Sequence, residues 1–230
     1  MQALIFTAIE AVGKFAHGWR GCSFGVEEDL NAKRDLGSSL RWRFFGDSAS
    51  VAFFPLTFLD ARDVTATMSI EQDLATIARQ EQLLCFERFD ERTAWEIGTR
   101  LKVAAEKRGA VLAIDVTLVG RTVFSYAMPG TSPNNVDWIR RKRNTVQHFQ
   151  RSSYGFGLQL ERDKADLSGK FGLFLSDYAV HGGSFPVRVV GTGVVGAITI
   201  SGLPQREDHK MVVAVLADFL EKPLADLALD

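Results

Sequence analysis

Cysteine is almost missing from this chain: Cys22 and Cys85 are the only thiols in 230 residues. A pair of thiols builds neither the disulfide framework of a secreted scaffold nor, unaided, a zinc site, so a reducing cytoplasm is the expected location. Histidine is sparse too, at positions 17, 148, 181 and 209. These positions lack metal-ligand spacing, and no structural metal site is expected. Charge is nearly balanced, at a formal net −1. That removes the basic excess needed for nucleic acid or an anionic membrane surface, and leaves small molecules or proteins as partners. No apolar run approaches the ~20 residues of a membrane span. The opening MQALIFTAIEAVGKF has no basic n-region and carries Glu10, so neither a signal peptide nor an anchor is expected. Apolar residues, by contrast, make up 46% of the chain and charged ones 24%, which suits a globular protein with a substantial core.

Up to about Ser69 the chain is rich in Phe and Trp, with pairs at Phe44-Phe45 and Phe53-Phe54, but keeps no period of 2 or 3.6. From Ser69 the pattern is regular. Ser69 with Gln72 reads as a capping box, and Ile70, Leu74, Ile77 and Leu84 recur at helical spacing. Residues 1–69 are therefore set apart as an N-terminal extension, and residues 70–230 as the domain. With Met68 just before the cap, the favoured reading of the extension is a disordered or upstream-translated segment outside the native protein. The other reading is a genuine extension packed through its aromatics.

Within the domain, residues 84–89 read as a short strand or link. Asp90 then caps a long helix whose stripe is Ala94, Ile97, Leu101 and Ala104 or Ala105, closing at Gly109. Residues 110–118 and 122–128 pair as a hairpin, 136–150 form a helix, 155–161 read as a further strand, and 162–180 look irregular. Gly191, Gly193 and Gly196 spell G-x-G-x-x-G, but the β-branched run Ala197-Ile198-Thr199-Ile200 follows where a nucleotide-binding loop needs a helix. The glycines therefore turn a second hairpin. Pro204 opens a closing helix with Val212, Val213, Leu216 and Leu220 on its apolar stripe. Hairpin-linked strands bracketed by helices make an α+β domain with a mostly antiparallel sheet.

Four segments carry a family resemblance: FERFDERTAWEIG, PGTSPNNVDWIRRKRN, HGGSFPVRV and VVGAITISGLPQREDH. On these, residues 70–220 resemble the HbpS-like, or GlcG-like, haem-degrading family, and in particular a cytoplasmic branch whose activity is not settled. Residues 1–67 have no counterpart in that family. The resemblance implies a profilin-like α+β fold, assembly into a homo-oligomer, haem as cofactor, and haem binding or its oxidative degradation.

Haem requires an axial ligand or a flat apolar slot with cations for its propionates. His181 beside Gly182-Gly183 is the leading ligand; the alternative is that its ring bonds to loop carbonyls. His209 follows Asp208 in the first turn of the last helix, as a catalytic group or as part of a cap. Within the run Arg140-Arg141-Lys142-Arg143, Arg140 and Lys142 are candidates to hold an anionic ligand. The alternative is a solvated or interface-facing basic side on a helix docked through Trp138, Ile139, Val146 and Phe149. Asn135, Trp138 and Phe185 complete the candidates for a small planar or anionic ligand. In a second reading the protein is a non-enzymatic oligomeric binding or adaptor module, with Trp138, Phe185 and Pro186 as interface anchors. A third is an enzyme acting on a small anionic metabolite through Arg140, Lys142 and Asp208. Cys85, between Leu84 and Phe86, reads as a small buried hydrophobe. Ser152, Ser153 and Ser201 lack a nucleophile elbow.

Overall fold

Residues 61 to 83 contain neither proline nor glycine, so nothing in them breaks a helix. In the computed structural model, which describes residues 61–229, helix α1 (Ala61–Leu83) runs through this stretch unbroken. Ser69 and Gln72 lie inside it, so the expected capping box does not form. Leu74 and Ile77 are buried, as the periodicity predicted. Expectations for residues 1–60, including His17, Cys22 and the Phe pairs, lie outside the described residues. Helix α2 (Glu91–Arg108) begins and ends as predicted: the Asp90 carboxylate accepts the Thr93 N–H at 2.9 Å, and Gly109 closes the helix at φ 65°. Its Ala94, Ile97, Leu101 and Ala105 are fully buried.

Two hairpins build one antiparallel sheet. Strands β1 (Ala113–Leu118) and β2 (Arg121–Ala127) form the first, and β3 (Ser184–Val189) and β4 (Gly193–Ser201) the second. They join through β1 and β4, giving the order β2-β1-β4-β3. Gly191 and Gly193, at φ 75° and 99°, make the second turn, so the glycine motif is a hairpin and not a phosphate loop. Between the hairpins run α3 (Pro133–Phe149), α4 (Ser153–Arg162) and the short α5 (Leu167–Phe171). Helix α6 (Gln205–Phe219) follows β4, and a 3-10 turn at Leu224–Asp226 lies near the end.

Helices α2 and α6 cover one face of the sheet, where Ile97, Leu101, Val212 and Leu216 meet Ile114, Val116, Phe185, Val187, Ile198 and Ile200. Each such side chain contributes about 1.5–3 kcal/mol by burial, which makes this layer the main source of cohesion. Helix α3 crosses the other face over β4, β3 and β1. Strand β1 is accordingly buried throughout, while β2 is largely exposed. The outer edge of β3 is occupied. Ser184 exchanges hydrogen bonds with the Ser153 hydroxyl, Pro186 has no N–H, and Phe86 bonds to Arg188 O and Val190 N. No helix among the described residues is long and apolar enough to cross a membrane.

Other expectations are corrected. Helix α3 opens at Pro133 rather than near Val136, because the Asn135 side-chain oxygen accepts the Ser132 N–H at 2.9 Å and fixes the first turn. Residues 155–161 form helix α4 instead of a strand. Their alternating apolar pattern arises because α4 is buried on two sides: Tyr154 and Leu158 pack with Leu74 and Ile77, while Phe156 and Leu160 pack with Leu167. The irregular region contains α5, and Cys85 is only half-buried.

Candidate functional site

Trp138, Arg141, Lys142 and Thr145 recur at spacings of three and four along α3 and so share one face. This face meets the turn that leads His181, Gly182 and Gly183 into β3. At its centre the Lys142 side chain is 2% exposed, and Nζ donates to Gly182 O (2.8 Å), Ile200 O (2.6 Å) and Asp208 Oδ2 (3.1 Å). Three acceptors employ all three N–H groups of an ammonium, so the side chain is held charged. Burial still pulls Lys142 below the ordinary lysine range, with the Asp208 charge opposing. Burial likewise pushes the Asp208 carboxyl up, against the pull of Lys142. Asp208 Oδ1 accepts the Leu203 N–H at 3.0 Å, tying the first turn of α6 to the segment that leads into it. One ion pair thus ties together α3, the glycine turn, the end of β4 and the start of α6.

The double glycine makes room for that pair. Gly183 sits at φ 114°, and a Cβ there would lie 2.6 Å from both Lys142 Nζ and Ile200 O. A Cβ on Gly182 would lie 2.0 Å from Gln205 O. His181, one residue earlier, is exposed. Its ring meets Trp138 edge-on with centroids 4.8 Å apart, while the Arg141 guanidinium lies 4.1 Å from the Trp138 centroid. Partial burial, then the charges of Lys142 and Arg141, hold the His181 pKa below its ordinary value. Among the described residues its ring makes no hydrogen bond to the loop carbonyls, contrary to one expectation. At neutral pH it offers an uncharged imidazole.

The basic run does not form a patch. Arg140 is held by Asp137 (3.0 Å), Asp177 (3.1 Å) and Ser176 O (2.6 Å). Arg143 reaches Asp115 at 3.0 Å, and burial pushes that carboxyl up. The pairing of Arg140 with Lys142 on one ligand is therefore corrected, since residues two apart on a helix diverge by about 200°. Phe185 is 1% exposed and Pro186 is buried, so both belong to the core and neither is an interface anchor. Asn135 is spent on the start of α3.

His209 is buried, with Nε2 2.8 Å from Gln80 Oε1. Because Gln80 Nε2 donates to Leu227 O at 2.6 Å, Oε1 must accept, and His209 donates through Nε2. Its Nδ1 is left without a partner, and burial pushes the imidazole down to about 3. Such a group is neither an accessible catalyst nor a cap. The candidates brought together are thus His181, Gly182, Gly183, Trp138, Lys142 and Asp208. Arg141 was not singled out from the sequence, although its i,i+3 spacing from Trp138 carried the signal.

The chain and its fold are similar to known proteins. The chain is 53% identical over 163 residues to a UPF0303 protein of Rhizobium leguminosarum, covering 71% of this chain and 98% of the relative. It is 49% identical over 153 residues to a UPF0303 protein of Serratia proteamaculans, covering 66% and 95%. Among solved structures, the Ybr137w protein matches with a TM-score of 0.62 and 28% identity, over 71% of this chain and 96% of that one. A PduOC:heme complex matches with a TM-score of 0.50 and 14% identity, over 56% and 93%, a likeness of fold alone. Residues 89–217 match the family described as haem degrading protein HbpS-like, and the chain belongs to that HbpS-like family.

Proposed function

We propose that this protein binds haem on the face made by His181, Trp138 and Arg141, and holds it there for oxidative breakdown. The observation that carries the reading is His181, an exposed imidazole held below its ordinary pKa and, among the described residues, without a hydrogen bond. Trp138 provides a flat apolar neighbour. Arg141 pairs with Asp137 through its buried Nε at 2.9 Å, and beyond that only Nη1 is engaged, reaching Leu175 O at 3.5 Å, so its terminal guanidinium N–H groups are the donors left for a carboxylate. Lys142 and Asp208 fix the glycine turn and hence the position of His181. Haem, when bound, supplies the iron and the oxidisable ring. Membership in the family supports the choice of cofactor.

The test is a hemin titration of the full chain followed at the Soret band, then a challenge with peroxide and with ascorbate. A saturable shift is expected, weakened about tenfold or more by His181→Ala and less by Arg141→Gln. Soret loss should be faster than in an albumin control. A spectrum matching free hemin throughout refutes the proposal.

A second reading, a cytoplasmic homo-oligomeric binding module, draws on Phe174 and Leu175. They are 72% and 63% exposed on the loop that Arg140 and Arg141 fasten to α3. Under that reading Phe174→Ser lowers the mass found by light scattering and leaves the hemin spectrum unchanged. An unaltered mass refutes it.

A further inference from the structure

We infer that a second site, on the opposite face of the sheet, binds a medium-chain amphiphilic anion of the fatty-carboxylate class. Helices α2 and α6 run antiparallel there and are bridged at both ends. Arg108 pairs with Glu207 at one end, and Arg100 with Asp218 (2.7 Å) at the other. Between the bridges lies a groove of about 670 Å³, floored by Val103, Ala104, Met211 and Val215 and walled by Leu224 and Leu227. That volume suits a small-molecule site. From Glu207 to Asp218 the helix rises about 16 Å, the reach of an extended dodecyl chain.

The shape selects a rod over a plate, because neighbouring helix axes stand only about 8–10 Å apart. Among the described residues no histidine lines the groove, and Met211 is buried, so axial ligation of haem is not what it offers. Charge selects an anion. The rim carries Arg100, Lys107, Arg108 and Lys210 against Glu207 and Asp218. Three of these cations are engaged with the acids. Lys107 is exposed and makes no ion pair among the described residues, which leaves a point charge beside the apolar trough. A polar ligand body would lose its hydration against this floor without recovering hydrogen bonds. An acyl chain loses nothing there, and its carboxylate reaches Lys107.

The experiment is calorimetric titration of the full chain with dodecanoate below its micelle concentration. Saturable binding is expected, weakened about tenfold by Val103→Asp and several-fold by Lys107→Glu. Dodecanol should bind more weakly than dodecanoate, and His181→Ala should bind dodecanoate as the parent does. Val103 is 39% exposed, so its replacement leaves the core intact, and circular dichroism checks this. Lys107→Glu, on the rim, tests the charge independently. Absence of saturable heat overturns the inference. So does binding untouched by both groove variants, which assigns the heat to another apolar patch such as the one around Trp95.

Discussion

Replacing Lys142 with methionine keeps most of the side-chain volume and removes three donors. Gly182 O and Ile200 O lose a partner, and Asp208, 3% exposed, becomes a buried carboxylate without its cation. Breaking a buried pair from one side costs about 3–5 kcal/mol. The surviving bond from Leu203 N–H keeps the loss inside that range. For a domain of this size the melting temperature should fall by roughly 10 °C or more. The deficit should depend on pH. In the folded protein the Asp208 carboxyl stands above its ordinary value. A carboxyl raised on folding stabilises below its unfolded pKa and loses that contribution as pH rises through the folded value. Without Lys142 the folded value rises further. The deficit is therefore smaller near pH 4, where only the loss at Gly182 O and Ile200 O remains, and full at neutrality. Adding Asp208→Asn removes the charge but keeps an acceptor for Leu203 N–H, so the double variant should recover on the order of 1–3 kcal/mol. Urea unfolding across pH measures all three proteins. A neutral-pH deficit under about 1 kcal/mol, or one that does not shrink in acid, refutes the clamp.

Gly183→Ala should cost more than about 1 kcal/mol in the same assay, since it combines a positive φ with a Cβ pressed on Nζ and Ile200 O. His209 titrates near 3 when folded, so stability should fall as pH drops from about 6.5 toward 3. His209→Leu should flatten that slope, and an unchanged slope would place the acid sensitivity elsewhere. The His181 resonance should titrate below its ordinary pKa by NMR and move up in Arg141→Gln, which removes one of the two repelling charges beside it. Asp73→Ala removes the carboxylate that Arg206 grips across from α1, at a cost of about 1.5–3 kcal/mol. Amide exchange should quicken in α1 first.

Periodicity and punctuation disclosed most of the fold. Asp90, Gly109, both hairpin turns and Pro204 act through local backbone chemistry, which a linear string displays directly. Helix α4 did not yield to the same reading, because its alternation reflects burial on two sides, a property of its neighbours. The site was half legible. His181, Trp138 and the glycine pair stand out as residue types, yet the partners that define them, Asp208 and Ile200 O, come from distant segments. Lys142 looked like a member of a charge run because nothing in the string tells which of four consecutive basic residues points inward. Arg140, Arg141, Lys142 and Arg143 each find a different environment once the helix is wound.

The two borders of the sheet are unequal. Along β3 the outward groups at Ser184 and Arg188 are engaged by Ser153 and Phe86 and Pro186 offers no N–H, whereas the outward side of β2 is unengaged among the described residues. A sheet with one receptive border accepts a neighbour once. Two copies meeting β2 to β2 would satisfy each other by a two-fold axis and leave nothing to propagate from. Association of two copies through β2 would therefore close as a pair and leave no equivalent edge from which a fibre could grow.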